Sequence, residues 1–445
     1  MKDNAMLIDY ILHDRDEGCF VWIFNIGAES VWHPNSFEVK NISEIPVINS
    51  IEEINLLITR PQDIIILHTE PSKDFIDALA LMGIVVPTTL IPKNPDKSKP
   101  IIELILEDEL LIEKLRRMKE YGACLVPYAI TELEEELSEK TGLHIFGTSA
   151  HIARRFNDKS FARQIAEELG FDTVSGKLCA EESEIAEEYN RLNLEGYERV
   201  VIKYPHNASG KGIYIVRNSH ELETTLMIVR RYIRKGAKYK WIVEGWCDTR
   251  LDINYQICIS KTGEVKNFSI KEQAIKDAVY YGSRIPPRIS NGEYDQYNRF
   301  ASQIGAYMFQ QGYYGIASID SIMKTDNTII PIIEINARFT LSTYLMLVEK
   351  MLSGNSIAVS TYRNLLSKIP IIYGHISELF EEMGALYNSD RMEGVFLYSS
   401  ASLPTDKSAD GLYRGRMFAL IVAKTEVEVE RYLGVLEKVV SKINC

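Results

Sequence analysis

The sequence predicts a mixed chain. A doubly wound α/β domain comes first, a larger α+β body follows, and a small α/β segment closes the C terminus. Two observations predict this. Over the first third, short β-branched runs alternate with amphipathic stretches at the rhythm of βαβ units. Beyond about residue 150 the strands lengthen and fall in hairpin order. At about 150 residues per domain, 445 residues make about three units. They are expected at 1–150, 151–355 (with a lid over about 174–244) and 356–445.

In the first unit, CFVWIFNI (19–26) and DIIILH (63–68) read as buried strands. SKDFIDALALMG (72–83) begins on a Ser cap and stops at a Gly, as a helix does, and IVVP (84–87) reads as the next strand. The segment 104–122 reads as one long amphipathic helix, followed by the strand ACLVPY (123–128). No GxGxxG turn is present, so a dinucleotide site is not predicted. The Pro- and Lys-rich stretch 91–100 is a surface loop. In the second unit a helix near 157–169 leads into mixed strands and helices from Val174 to Glu244. INYQICIS (253–260) and EVKNFSIKEQ (264–273) form a hairpin around Gly263. GIASIDSIMK (315–324) and TIIPIIEINAR (328–338) flank the polar turn 325–327. Strands at 394–400 and 416–423 and a helix at 425–443 finish the chain.

Hydrophobic residues at 46% and charged residues at 25% describe a globular chain and exclude collagen, coiled coil or general disorder. Fifty basic against 62 acidic residues leave a net charge of −12, which disfavours nucleic acid and anionic lipid as general partners. No apolar run approaches the roughly 20 residues of a membrane span. The N terminus lacks the form of a signal peptide. Six scattered cysteines make neither a zinc site nor a disulfide framework. A reduced, cytoplasmic location is expected.

Three segments carry chemistry. In VVIKYPHNASGKGIYIV (200–216), Lys203 nears a strand end, and Ser209, Gly210, Lys211 and Gly212 fill a loop between two strands. Glycines there let backbone N–H groups crowd around phosphate oxygens, so the loop can act as a flap; an ordinary Gly-Lys hairpin is the alternative. Asp320, Glu334 and Asn336 lie on two neighbouring strands, and residues at i and i+2 share a face. Two carboxylates and an amide oxygen suit Mg²⁺. Arg338, two residues further, can clamp a carboxylate or a phosphoryl group. The strongly apolar flanks argue against an idle polar face, because buried charges are costly unless they bind something. In KYKWIVEGWCD (238–248), a strand ends in Glu244-Gly245-Trp246, where a carboxylate followed by free backbone N–H groups can meet an adenine edge. Asp252 can accept from ribose hydroxyls. The loop 279–288, with Arg284 and Arg288, is a candidate for acceptor binding. His151 and His206 read as local hydrogen-bonding residues.

Taken in order, Asn157-Asp158-Lys159, Lys203 with SGKG, VEGW, GIASID and IIEINAR resemble the ATP-grasp superfamily over about half of the chain. The resemblance implies two α+β lobes holding ATP between them. It also implies an ADP-forming ligase that joins a carboxylate to an amine or a thiol through an acyl phosphate. By that resemblance Lys159 and Lys203 contact the α- and β-phosphates, and residues 209–212 cover the β- and γ-phosphates. Glu244 and Trp246 form the adenine hinge, Asp252 takes the ribose, and Asp320, Glu334 and Asn336 hold Mg²⁺. Arg338 steadies the acyl phosphate. Some amino-acid ligases of the family carry Arg two residues before the first metal Asp; here Ser318 stands there, so Arg338 or Arg284 must do that work. The domain layout is similar to the pheganomycin-type peptide ligases and to the carrier-protein glutamate ligase of butirosin biosynthesis.

The expected activity is amide or peptide formation in specialised metabolism. Charging of an amino acid onto a carrier-protein thiol is the second reading, and a catalytically silent ATP-binding regulator the third. The complete set Asp320, Glu334, Asn336 and Arg338 argues against the third. Expected partners are small-molecule carboxylate and amine substrates, an acyl carrier protein as alternative acceptor, and a second copy of the chain.

Overall fold

The structure is a computed structural model. It describes residues 18–27, 29–32, 44–205, 212–234, 240–276, 278–345, 356–408 and 410–444. The N-terminal unit is a parallel sheet of β1 (Phe20–Ile23), β2 (Ile64–Ile66), β3 (Thr88–Leu90), β4 (Cys124–Pro127) and β5 (His144–Ile145), in the order β3-β2-β1-β4-β5. All four residues of β1 are buried, because helices cover both faces of the sheet and alternation is lost. Ser72 caps the helix Lys73–Leu81 by accepting from the Phe75 amide, and Gly83 leaves it at φ +74°.

Two expectations shift. The third strand is Thr88–Leu90 rather than 84–87, since Met82 to Val86 serve as the exit from the preceding helix. The long helix at 104–122 is two helices, Ile101–Leu106 and Glu109–Arg117. Asp108 between them accepts from the Leu110 and Leu111 amides and so starts a new helix.

A second, antiparallel sheet contains β6 (Gly176–Cys179), β7 (Val200–Lys203), β8 (Ile213–Val216) and β9 (Trp241–Gly245), in the order β6-β9-β7-β8. Helices Glu182–Leu194 and Ser219–Arg234 pack on it through Ile185, Leu192, Leu226 and Val229 against Val200, Ile202 and Trp241. The sheet spans residues 176–245.

The third sheet has eight antiparallel strands: β10 (Thr249–Ile259), β11 (Val265–Lys276), β12 (Val279–Ile285), β13 (Gly315–Lys324), β14 (Ile329–Asn336), β15 (Ile357–Ser367), β16 (Gly394–Leu397) and β17 (Tyr413–Ala423). Their order is β14-β13-β10-β11-β12-β15-β17-β16. Strands beyond residue 356 therefore extend the same sheet, and the boundary expected at 355 falls within it. One end of the sheet is tied to the N-terminal unit. The buried Glu53 carboxylate accepts from the Ser400 amide (2.6 Å) and the Ala401 amide (2.7 Å), with the Ser400 hydroxyl at 3.0 Å. Among the described residues, no helix is long and apolar enough to cross a membrane.

Candidate active site

The floor of the site follows from strand register. Asp320 lies directly opposite Glu334 and Ser318 opposite Asn336, while β10 places Asn254 opposite Asp320. Cross-strand partners share a face, so both carboxylates and the Asn336 amide project together. Asp320 Oδ1 accepts from Asn254 Nδ2 (2.7 Å) and Gln273 Nε2 (3.1 Å), and its Oδ2 accepts from Asn336 Nδ2 (3.3 Å). Burial, followed by the facing Glu334, pushes the Asp320 carboxyl up to about 7. A buried carboxyl whose charge is disfavoured by a facing carboxylate is the electrostatic condition a divalent cation relieves. Among the described residues no group of three or more His, Cys, Asp or Glu side chains is placed to hold a metal ion. The set is two carboxylates and an amide, a hard-oxygen arrangement that fits Mg²⁺ with waters and phosphates as further ligands.

Lys159 is the first residue of the helix Lys159–Glu168, capped by Asp158, whose Oδ1 accepts from the Ser160 amide at 2.7 Å. The helix lies against β14, and the buried Lys159 Nζ donates to Glu334 Oε1 at 2.7 Å. Asn157 Oδ1 accepts from the Ala337 amide (3.2 Å), fixing this helix start to the end of β14.

The roof comes from the lid. Lys203, the last residue of β7, reaches Glu244 Oε2 at 2.5 Å, and Arg163 Nη1 reaches Oε1 at 2.7 Å. Arg163 also donates to the carbonyls of Val174 and Gly176 (3.2 and 2.7 Å). Burial works to raise the Glu244 carboxyl, but Lys203 and then Arg163 outweigh it and hold it below the ordinary carboxylate value. Glu244 thus joins the lid to the body of the chain. At Gly245 a Cβ would stand 2.3 Å from the Tyr197 ring, so only glycine lets this strand end lie there. The Gly245 amide donates to Ser175 O (2.9 Å) and the Trp246 amide to Arg199 O (2.8 Å). The free N–H groups expected just after Glu244 are therefore already paired at these two residues. Trp246 stays in the cavity wall, with the Arg199 guanidinium 5.2 Å from its ring centroid.

Between floor and roof is a cavity of about 430 Å³, within the size range of small-ligand pockets. Lys203, Glu244, Trp246, Asp252, Asp320, Glu334, Asn336 and Arg338 all line it. Burial, helped by Glu272, pushes the Asp252 carboxyl up to about 6. Arg338 lies just beyond the end of β14; its Nη1 donates to Tyr128 Oη (2.9 Å) and to Phe339 O (3.1 Å). Tyr128 follows β4, so the N-terminal unit contributes to the cavity wall. Gly212 has φ +71°, and its carbonyl accepts from the Tyr204 amide (2.8 Å). Ser209, Gly210, Lys211 and His206 lie outside the described residues.

Arg284 is not brought to the site. Residues 279–285 are the strand β12 rather than a loop, and Arg284 falls on the face opposite Ser283. There it pairs with Glu426, Nη1 to Oε2 at 3.0 Å, at the start of the C-terminal helix. Sequence reasoning missed Arg163, Asn254, Gln273 and Tyr128. Asn254 and Gln273 were discoverable in principle, since each shares a strand face with Asp252 or its hairpin partner. Arg163 and Tyr128 act over 81 and 210 residues of separation, and nothing local announces them.

Residues 52–143 match the family model of the pre-ATP-grasp domain, and residues 164–342 match that of the ATP-grasp domain. The chain belongs to the ATP-grasp ligases. A relative from Niallia circulans, [butirosin acyl-carrier protein]–L-glutamate ligase, is 27% identical over 354 residues, covering 78% of this chain and 77% of the relative. The L-propargylglycine–L-glutamate ligase of Streptantibioticus cattleyicolor is 22% identical over 367 residues, covering 74% of each. The ATP-grasp fold itself is shared with the biotin carboxylase domain of Hydrogenobacter thermophilus 2-oxoglutarate carboxylase, solved with MgADP. That match has a TM-score of 0.57 and 15% identity, over 95% of this chain and 90% of the other. An N5-carboxyaminoimidazole ribonucleotide synthetase bound to ADP gives a TM-score of 0.54 and 13% identity, over 95% and 96% of the two chains.

Proposed function

We propose that this ATP-grasp ligase joins L-glutamate to an amine, forming an amide in specialised metabolism and releasing ADP and phosphate. The observation that carries the reading is the cofacial set Asp320, Glu334 and Asn336, with Arg338 beside it, beneath Lys203 and Glu244 in one cavity. Glutamate enters because the names of both relatives above carry it. MgATP supplies the phosphoryl group that turns a carboxylate into a reactive acyl phosphate. Lys159 and Lys203 provide cationic donors for phosphate oxygens, exchanging the carboxylate partners Glu334 and Glu244. Asp320, Glu334 and Asn336 would hold the metal. Arg338, oriented by the Tyr128 hydroxyl, offers a guanidinium to the carboxylate being activated and to the oxyanion formed when the amine attacks. A carrier-protein thiol or a carrier-borne amine is the second reading, favoured by the butirosin relative.

The test supplies L-glutamate and MgATP with small amines, short peptides or a phosphopantetheine thiol in parallel. ADP and phosphate should form only when an acceptor is present. Release of AMP and pyrophosphate, or no turnover with any acceptor, overturns the reading.

A further inference from the structure

The face that carries the site does not end at the cavity. It continues across β11, β12 and β15 to β17. Register places Gln273 opposite Ser283, Ser283 opposite Ser360, and Asn364 opposite Arg416. Ser360, Tyr362 and Asn364 alternate onto that same face. At the register shift between Ala274 and Ile275, Tyr281 is the extra residue of a bulge, lying between Tyr280, in the cavity wall, and Gly282. A Cβ at Gly282 would stand 1.8 Å from Ser360 O, so glycine permits the close strand contact. The bulge aims Tyr281 along the face, where its ring stacks on Tyr362 at 5.6 Å and 10° while staying 36% exposed.

Arg416 lies next to this pair. Its guanidinium is 4.8 Å from the Tyr362 ring centroid, and its Nε donates to Asn364 Oδ1 at 3.1 Å. Three of the four arginines on β12, β15 and β17 are matched with a carboxylate: Arg284 with Glu426, Arg363 with Glu437 and Arg414 with Asp410. Arg416 has no carboxylate partner among the described residues. A half-buried guanidinium, held flat by an aromatic ring and a side-chain amide with its outer fork open, suits bidentate recognition of a carboxylate.

We propose that Arg416, with Tyr281, Tyr362 and Asn364, binds the C-terminal carboxylate of a peptide acceptor whose amine lies in the cavity; this rests on the ligase reading above. Spacing selects an elongated acceptor. At about 4.8 Å per strand and 3.3 Å per residue, Arg416 is two strands (about 10 Å) from the strand of Tyr280, and five strands across and six residues along (about 30 Å) from Asp320. A single amino acid cannot bridge either span, whereas an extended peptide of about three to nine residues does. The tyrosine pair supplies a flat surface over which such a chain lies.

The experiment compares a glycine-rich hexapeptide acceptor bearing a free C-terminal carboxylate with the same peptide as its C-terminal amide. L-glutamate and MgATP are saturating. ADP release gives KM, and calorimetric titration with a non-hydrolysable ATP analogue gives binding. The wild-type chain should favour the carboxylate form roughly ten- to a hundredfold, the range of a hydrogen-bonded charge. In Arg416→Gln that preference should fall to about one. In Arg416→Lys it should recover only in part, because lysine keeps the charge and loses the fork. Tyr281→Ala, at an exposed position, should weaken both peptides alike. Equal KM and affinity for the two peptides in the wild type, with ADP formed, overturns this proposal and leaves the ligase reading intact. Preference for a phosphopantetheine thiol whose KM rises in Arg416→Gln overturns the peptide assignment. Absence of ADP with every acceptor overturns the ligase reading and this proposal with it.

Discussion

Asn254 gives the sharpest test of how the site is built. Its amide is committed on both sides: Nδ2 donates to Ser318 Oγ and Asp320 Oδ1, both at 2.7 Å, and Oδ1 accepts from Gln256 Nε2 (2.8 Å) and Ser342 Oγ (3.2 Å). Such a fixed amide holds one oxygen of Asp320 and leaves the other toward Glu334 and Asn336. Asn254→Ala removes the shorter of the two bonds that Asp320 Oδ1 accepts, leaving Gln273 at 3.1 Å. A hydrogen bond to a charged group contributes about 1.5–3 kcal/mol. If that stabilisation is lost from the metal-binding form of Asp320, metal affinity should fall roughly ten- to a hundredfold. Two measurements read this: the Mg²⁺ concentration for half-maximal ADP formation at fixed ATP, and Mn²⁺ binding followed by electron paramagnetic resonance. Both should weaken in parallel, while ATP analogue affinity in the absence of metal changes less than threefold. Unchanged Mn²⁺ affinity in Asn254→Ala would refute the positioning argument, whatever happened to turnover.

Further outcomes are expected. Glu334→Gln should nearly abolish turnover, because a metal-facing carboxylate is worth several kcal/mol of charge stabilisation and Lys159 loses its ionic partner; near wild-type rate at saturating Mg²⁺ would remove Glu334 from the metal set. Arg284→Ala should leave kcat within about twofold, since its guanidinium faces Glu426 rather than the cavity; a hundredfold loss would restore the role expected for it from sequence. The contribution of two buried carboxyls to thermal stability without ligands should fall as pH rises from about 5 to 7.5. Burial pushes Glu53 and Glu134 up to about 7, above the ordinary carboxylate value, so the native state holds protons that the unfolded chain has released. Their contribution is complete below the unfolded value and disappears as pH passes through about 7, with a slope near 1.4 kcal/mol per pH unit for each proton. A melting temperature that rises across that interval would contradict the sign.

What the sequence determined by itself is what short-range chemistry determines. Strand β13 occupies the predicted interval 315–324, because a run in which isoleucines recur between Gly315 and the polar turn 325–327 has few alternatives. The cofacial relation of Glu334 and Asn336 follows from the two-residue repeat of a strand, and the Ser72 cap from its side chain reaching a nearby amide. The helix break at Asp108 was legible too, had its capping been weighed against the continuing apolar periodicity.

Tertiary structure alone decided which distant groups meet. Strand pairing with β10 and β11 brought Asn254 and Gln273 to Asp320, while packing of the Lys159–Glu168 helix brought Arg163 to Glu244. The face of β12 on which Arg284 falls depends on the bulge at Tyr281, since one added residue in a ladder exchanges the two faces beyond it. The same bulge sets Tyr281 against Tyr362, and among the described residues Arg416 has no carboxylate partner. A sequence carries the side chain's chemistry; its partner, and therefore whether a charge is satisfied at home or left for a ligand, is set by register and packing between segments hundreds of residues apart.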